Sequence, residues 1–151
     1  MRIVDYKTSA SRKPANNVEE LFDSKKNSRS GHIFQAFCYA DIYTDKHPEV
    51  NPLAPALQYV KLVRSDLNAV AKSSSDSQEE RASLPLSTLM VHLKEGKEEY
   101  PVCDFTGQVK KEYHERLVSC ISGIFDKSTP FSPPSSNHHC QWCPFTAICN
   151  K

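Results

Sequence analysis

Arg2-Ile3-Val4-Asp5-Tyr6-Lys7-Thr8 is the stretch on which the reading of this chain turns. Ile3 and Val4 favour an extended backbone. A strand sends successive side chains to opposite faces, so Asp5 and Lys7 share one face while Val4 and Tyr6 share the other. A carboxylate beside an ammonium on a rigid strand is a pair suited to phosphodiester hydrolysis. The carboxylate offers hard oxygen to Mg²⁺ or Mn²⁺, and the ammonium can orient water and offset charge in a transition state. An acid-x-Lys triplet equally describes an edge-strand ion pair with no further role. Its meaning depends on the rest of the chain.

Working outward, Ser9 to Asn17 has loop composition, and Val18, Leu21 and Phe22 are spaced like a short amphipathic turn with Glu19, Glu20 and Asp23 outward. Asn27 to Gly31 is a linker, from which Ser30 can cap a helix over about His32 to Thr44. Ile33, Phe34, Phe37, Cys38, Ala40 and Ile42 make that helix apolar on more than one side. Gln35 and Tyr39, four apart, stack on one face, and His47-Pro48 ends it. Asn51 to Pro55 reads as a connection and Leu57 to Val63 as a strand. Asp66 to Ala82, with its polar run Ser73 to Glu80, reads as an exposed, mobile excursion. Leu86 to Leu93 is the next strand, Gly96 a turn, Tyr100 to Phe105 a short extended piece, and Thr106 to Phe125 a second helix with Val109, Tyr113, Leu117, Cys120, Ile121 and Ile124 at helical spacing. This order predicts a mixed α/β domain with a small sheet flanked by helices.

Length and charge bound the function. At 151 residues the chain makes one domain, or part of one. A formal net charge of +1 and a pI of 7.6 leave nucleic-acid contact to local patches, of which Arg2, Lys7, Arg12, Lys13, Lys25, Lys26 and Arg29 form one candidate beside the reading of an ordinary solvated surface. The apolar runs are too short to span a membrane, and the N-terminus lacks a signal-peptide block, so the expected location is cytoplasmic. In that setting six cysteines are thiols or metal ligands rather than a disulfide framework.

Three of them close the chain as Cys140-x2-Cys143-x5-Cys149. A C-x2-C knuckle lets two thiolates grip one centre, with a third on the next turn. Thiolates suit Zn²⁺ or an iron–sulfur cluster. Either wants four ligands, and His138 or His139 could complete a zinc site. Cys38 and Cys120 lie on apolar helix faces and are expected to be buried free thiols.

Taken together, Ile3-Val4-Asp5-Tyr6-Lys7-Thr8, Gln35-Ala36-Phe37-Cys38-Tyr39 and the closing Pro130-Phe131, Cys140, Cys143, Pro144-Phe145 and Cys149 resemble, in that order, three motifs of the PD-(D/E)XK nuclease superfamily. The likeness is to the RecB- and AddB-like exonuclease domains attached to DNA-repair helicases. The first stretch looks like the family's acid-x-Lys strand, the second its Q-x3-Y helix, the third its cysteine signature. The resemblance implies a restriction-endonuclease-like core and a metal-dependent deoxyribonuclease. Asp5 would ligate Mg²⁺ or Mn²⁺, Lys7 would position or activate water, and Gln35 and Tyr39 would contact the DNA backbone. Cys140, Cys143 and Cys149 would hold a 4Fe-4S cluster or Zn²⁺, and DNA and a helicase domain or subunit would be the partners.

The family also places an Asp on a strand before the acid-x-Lys strand, and in its iron–sulfur members a first cluster cysteine lies upstream of the core. Neither has a counterpart ahead of Asp5 here. The expectation is therefore the C-terminal part of a nuclease domain, with residues 1–134 a partial core, residues 135–151 its cysteine-rich tail, and little activity for the chain alone. Two other readings stay open: a non-catalytic nuclease-fold module that binds DNA or a helicase partner, and a small zinc-ribbon-like binding protein whose tail is its functional part.

Overall fold

The first strand is held by a partner about fifty residues away. In the computed structural model, which describes residues 1–8, 14–23, 29–59, 90–130, 140–141 and 143–149, β1 (Arg2–Lys7) pairs in parallel with β2 (Ala54–Tyr59), Asp5 opposite Leu57 and Lys7 opposite Tyr59. Parallel neighbours need a crossover, and here it contains a 3-10 turn (Glu19–Leu21) and α1 (Gly31–Lys46). β3 (His92–Glu95) and β4 (Glu98–Pro101) form an antiparallel hairpin, turned at Gly96 with φ +64°, where a residue without Cβ is suited. α2 (Gln108–Ile124) and the short α3 (Thr146–Cys149) follow. Among the described residues the result is a small α/β fold of two small sheets and three helices, as the order of sequence patterns predicts.

α1 starts and stops where its sequence says. Ser30 Oγ accepts from Ile33 N–H at 3.4 Å, and His47 caps the other end ahead of Pro48. Its inner face sends Ile33, Ala36, Phe37 and Ala40 into the core. There Phe37, Phe105 and Tyr113 are fully enclosed, with ring centroids 5.1 Å (Phe37–Phe105) and 5.6 Å (Phe37–Tyr113) apart. Such contacts combine large buried area with favourable edge-to-face geometry. Tyr113 Oη donates to Phe34 O at 2.9 Å, and burial, then the nearby Cys38 and Asp41, push its phenol well above the usual range. Packing of α1 over both strands fixes where the β1 side chains end up.

Several boundaries differ from expectation. β2 begins at Ala54, so Pro55 lies within it rather than in a connection. Ala54 N–H bonds Met1 O on the β1 side, whereas Pro55 O faces away and accepts from Val91 N–H. The donor that proline lacks would also have faced away from β1, so the parallel ladder loses nothing. The extended piece expected over Tyr100–Phe105 pairs earlier, as β4. The far half of α2 does not enter the core: Cys120 is exposed instead of buried, and Ile121, Ile124 and Phe125 are exposed with it. Its helical apolar period continues past the last core residue it can reach, Leu117. The expected strand residues Val60–Val63 and Leu86–Leu89, the Asp66–Ala82 excursion, and Arg12, Lys13, Lys25 and Lys26 lie outside the described residues. Among the described residues, no helix is long and apolar enough to cross a membrane.

Candidate active site

β1 turns Ile3, Asp5 and Lys7 toward α1, while Tyr6, on the opposite face, is two-thirds exposed. The four side chains singled out in the sequence meet in one line. Lys7 Nζ lies 2.6 Å from Asp5 Oδ2 and donates to Gln35 Oε1 at 2.5 Å. Gln35 Nε2 in turn donates to Tyr39 Oη at 2.5 Å. The i, i+4 spacing on α1 sets the last link, and the crossover from β1 to β2 sets the one between Lys7 and Gln35, 28 residues apart.

The direction of these bonds has a chemical consequence. Lysine only donates, so it takes the amide oxygen of Gln35 and turns the amide nitrogen toward Tyr39. Tyr39 Oη then acts as acceptor, and its own hydrogen is left to donate outward from a ring that is 43% exposed. Asp5 Oδ2 is buried without a hydrogen bond of proper geometry, so its contact with Lys7 is ionic rather than directional. Both side chains are mostly enclosed, 19% exposed for Asp5 and 14% for Lys7. Leu57 and Tyr59, opposite them on β2, form an apolar floor. That floor strengthens the field between the charges by keeping water off one side. His32 Nδ1 lies 3.1 Å from Tyr59 Oη and ties the start of α1 to the end of β2.

Asp5 is the group here that fits a hard divalent cation: an anionic oxygen, shielded, and short of a hydrogen-bond partner. Mg²⁺ is commonly held by one or two carboxylates together with water and substrate phosphate, so Asp5 supplies part of a shell. Among the described residues, no group of three His, Cys, Asp or Glu ligands includes it. In the tail, Cys143 N–H donates to Cys140 O at 3.2 Å, which folds the first two cysteines into one turn with half-buried free thiols. α3 follows and runs to Cys149. His138 and His139 and the Cys149 side chain are outside the described residues.

The sequence reading passed over a second polar cluster. Asp41 and Asp45 on α1 meet Lys110 and His114 on α2. The available signal was two i, i+4 pairs, Asp41 with Asp45 and Lys110 with His114, and a carboxylate set among Phe37, Ala40 and Thr44 on the inner face of α1.

Comparison with known proteins adds one match. The family model described as the PD-(D/E)XK nuclease superfamily aligns with residues 1–150. No curated protein and no solved structure matches the chain.

Proposed function

Because the chain belongs to the PD-(D/E)XK nuclease superfamily, we propose that its Asp5–Lys7–Gln35–Tyr39 line serves metal-dependent hydrolysis of DNA phosphodiesters. The observation that supports this most is the joining of the four side chains by contacts of 2.5–2.6 Å across two elements. Asp5, whose shielded Oδ2 is ion-paired with Lys7 but accepts no hydrogen bond, would hold Mg²⁺ or Mn²⁺ together with ligands from substrate and water. The ion, when bound, supplies Lewis-acid polarisation of the phosphoryl group.

The chain's own residues do the rest. Lys7 is held between a carboxylate and an amide oxygen, so its ammonium points to a fixed place. It has three donors, of which Gln35 takes one, and the others can hold a water for in-line attack and offset the charge that develops on the phosphoryl oxygens. Gln35 is a positioning residue that sets the Lys7 amine and turns the Tyr39 hydroxyl outward. Tyr39 donates that hydroxyl to a backbone phosphate of the DNA. In this reading the enzyme is an exonuclease of DNA repair or recombination that works with a helicase domain or subunit. Residues 135–151 belong to the same domain, Cys140, Cys143 and Cys149 holding a 4Fe-4S cluster or Zn²⁺ there.

A second reading is a non-catalytic nuclease-fold module that binds DNA or a helicase partner. It is favoured by one observation: Lys7 already neutralises Asp5, and no further His, Cys, Asp or Glu pair completes a group with it among the described residues. The deciding experiment is Mg²⁺- and Mn²⁺-dependent digestion of end-labelled linear DNA by the protein that carries this chain, with Asp5→Ala alongside. Cleavage lost in Asp5→Ala with DNA binding kept is the expected result. Cleavage unchanged in Asp5→Ala refutes the assignment, and binding without cleavage in the parent protein supports the module.

A further inference from the structure

We propose that Asp41 and Asp45 of α1 and His114 of α2 form a transition-metal site, for an ion of the Mn²⁺ or Zn²⁺ class, that cross-links the two helices. It lies apart from the Asp5 line. Asp41 follows Tyr39 by two residues, about 200° round the helix, and so sits on the opposite side of α1.

Three observations combine. One ligand atom from each of the three residues lies within 4.8 Å of the others. Asp41 is 3% exposed, its Oδ2 lies 2.9 Å from His114 Nδ1, and its Oδ1 is buried with no hydrogen-bond partner. A carboxylate oxygen taken from water and left without a donor is costly, and a bound cation would offset that cost. Finally, Lys110 Nζ donates to Asp45 Oδ1 at 2.7 Å, so one of the carboxylates already pairs with a cation. With the His114 imidazole neutral, two carboxylates outnumber that one ammonium.

The donor set selects the ion. An imidazole with two carboxylates suits Zn²⁺ and Mn²⁺, whereas Ca²⁺ and Mg²⁺ favour oxygen alone. A cavity of about 320 Å³ lined by Asp45, Thr106, Gly107, Lys110 and His114 gives room for water ligands on the Asp45 and His114 side. Binding requires a neutral imidazole, and Lys110 must swing off Asp45. The ion would then fasten α1, which carries Gln35 and Tyr39, to α2 near the Tyr113 core contact.

The test is Mn²⁺ titration of the whole protein, followed by electron paramagnetic resonance with electron spin echo detection of nitrogen coupling. Mn²⁺ is poorly held by the tail thiolates, and an ion at Asp5 would show oxygen ligation. One Mn²⁺ with imidazole coupling is expected. His114→Gln and Asp45→Asn, both at partly exposed side chains, should each abolish it with unchanged far-ultraviolet circular dichroism. Lys110→Met should bind Mn²⁺ about fivefold more tightly, because an exposed competing ion pair is gone. Absence of nitrogen-coupled Mn²⁺, coupling that survives His114→Gln, or no tightening in Lys110→Met would overturn the site.

Discussion

Replacing Asp5 with alanine, Lys7 with methionine, and then both in one chain measures how much the candidate site costs or contributes to the fold. At the observed 2.6 Å separation, unit charges attract by about 1.6 kcal/mol in bulk water and about 6 kcal/mol at an effective dielectric of 20. Desolvation offsets much of the larger figure. Exposed pairs are worth about 0.2–1 kcal/mol in mutant cycles, and truncating one member of a buried pair costs about 3–5 kcal/mol. With the two side chains only 14% and 19% exposed, each single substitution should destabilise by about 2–3 kcal/mol, mainly because the other charge is left shielded and alone. The double variant should lose about 2 kcal/mol less than the sum of the singles. Urea unfolding followed by circular dichroism gives all four values on one scale. A coupling below about 0.5 kcal/mol, the usual limit of additivity for independent sites, would mean that water separates the two charges and that Lys7 is not held as described. DNA cleavage should be lost in all three variants regardless of how stability divides, which separates the site's chemistry from its contribution to folding.

Other substitutions probe neighbouring contacts. Gln35→Leu removes the acceptor for Lys7 and the donor to Tyr39 together. Its kcat on linear DNA should fall by about a hundredfold, the scale of a misplaced catalytic group, and an unchanged kcat would dismiss Gln35 as a positioning residue. Phe37→Ala, at a fully enclosed ring packed on Phe105 and Tyr113, should cost about 3–5 kcal/mol in urea unfolding; a loss under about 1 kcal/mol would show that this core collapses around the gap. Asp104 is held below the usual carboxylate range by the Thr106 hydroxyl, then by the Thr106 and Leu53 backbone N–H groups. A depressed folded pKa contributes stability above the unfolded value of 3.8 that is lost as pH falls through the folded value. Asp104→Asn should therefore narrow its stability gap to the parent on acidification below about pH 4, and a gap independent of pH would refute the linkage.

Local periodicity made much of this legible. The two-residue repeat puts Asp5 and Lys7 on one face, and the helical repeat stacks Gln35 under Tyr39, before any tertiary contact is known. Ser30 and His47-Pro48 mark α1 because caps and prolines act within a turn. What periodicity cannot reveal is which faces meet. That Lys7 reaches Gln35 depends on the crossover, and was implied only by the family resemblance. That Asp41 reaches His114, 73 residues on, had no such guide. Pro55 lies in a strand and not in a connection for a related reason: a proline disrupts a strand only on the side where its missing donor would have bonded, and that side is set by the neighbouring strands. Cys120 is expected buried from the apolar stripe of α2 and is exposed, because a stripe shows what a helix could bury and not how far its partner extends.

The parallel pairing of residues 2–7 with residues 54–59 also has a temporal side. A ribosome adds about 5–20 residues per second, so β1 is synthesised several seconds before the strand that completes it. Until then Asp5 and Lys7 have no apolar floor, and α1, although able to form as a local helix, has no sheet to lie on. Closing so long a segment before its contacts are gained also slows folding relative to a helical bundle of this size. The pair proposed to do the chemistry is made about fifty residues ahead of β2 and acquires its surroundings late, so a ribosome stalled before Tyr59 would display a charged but unassembled site.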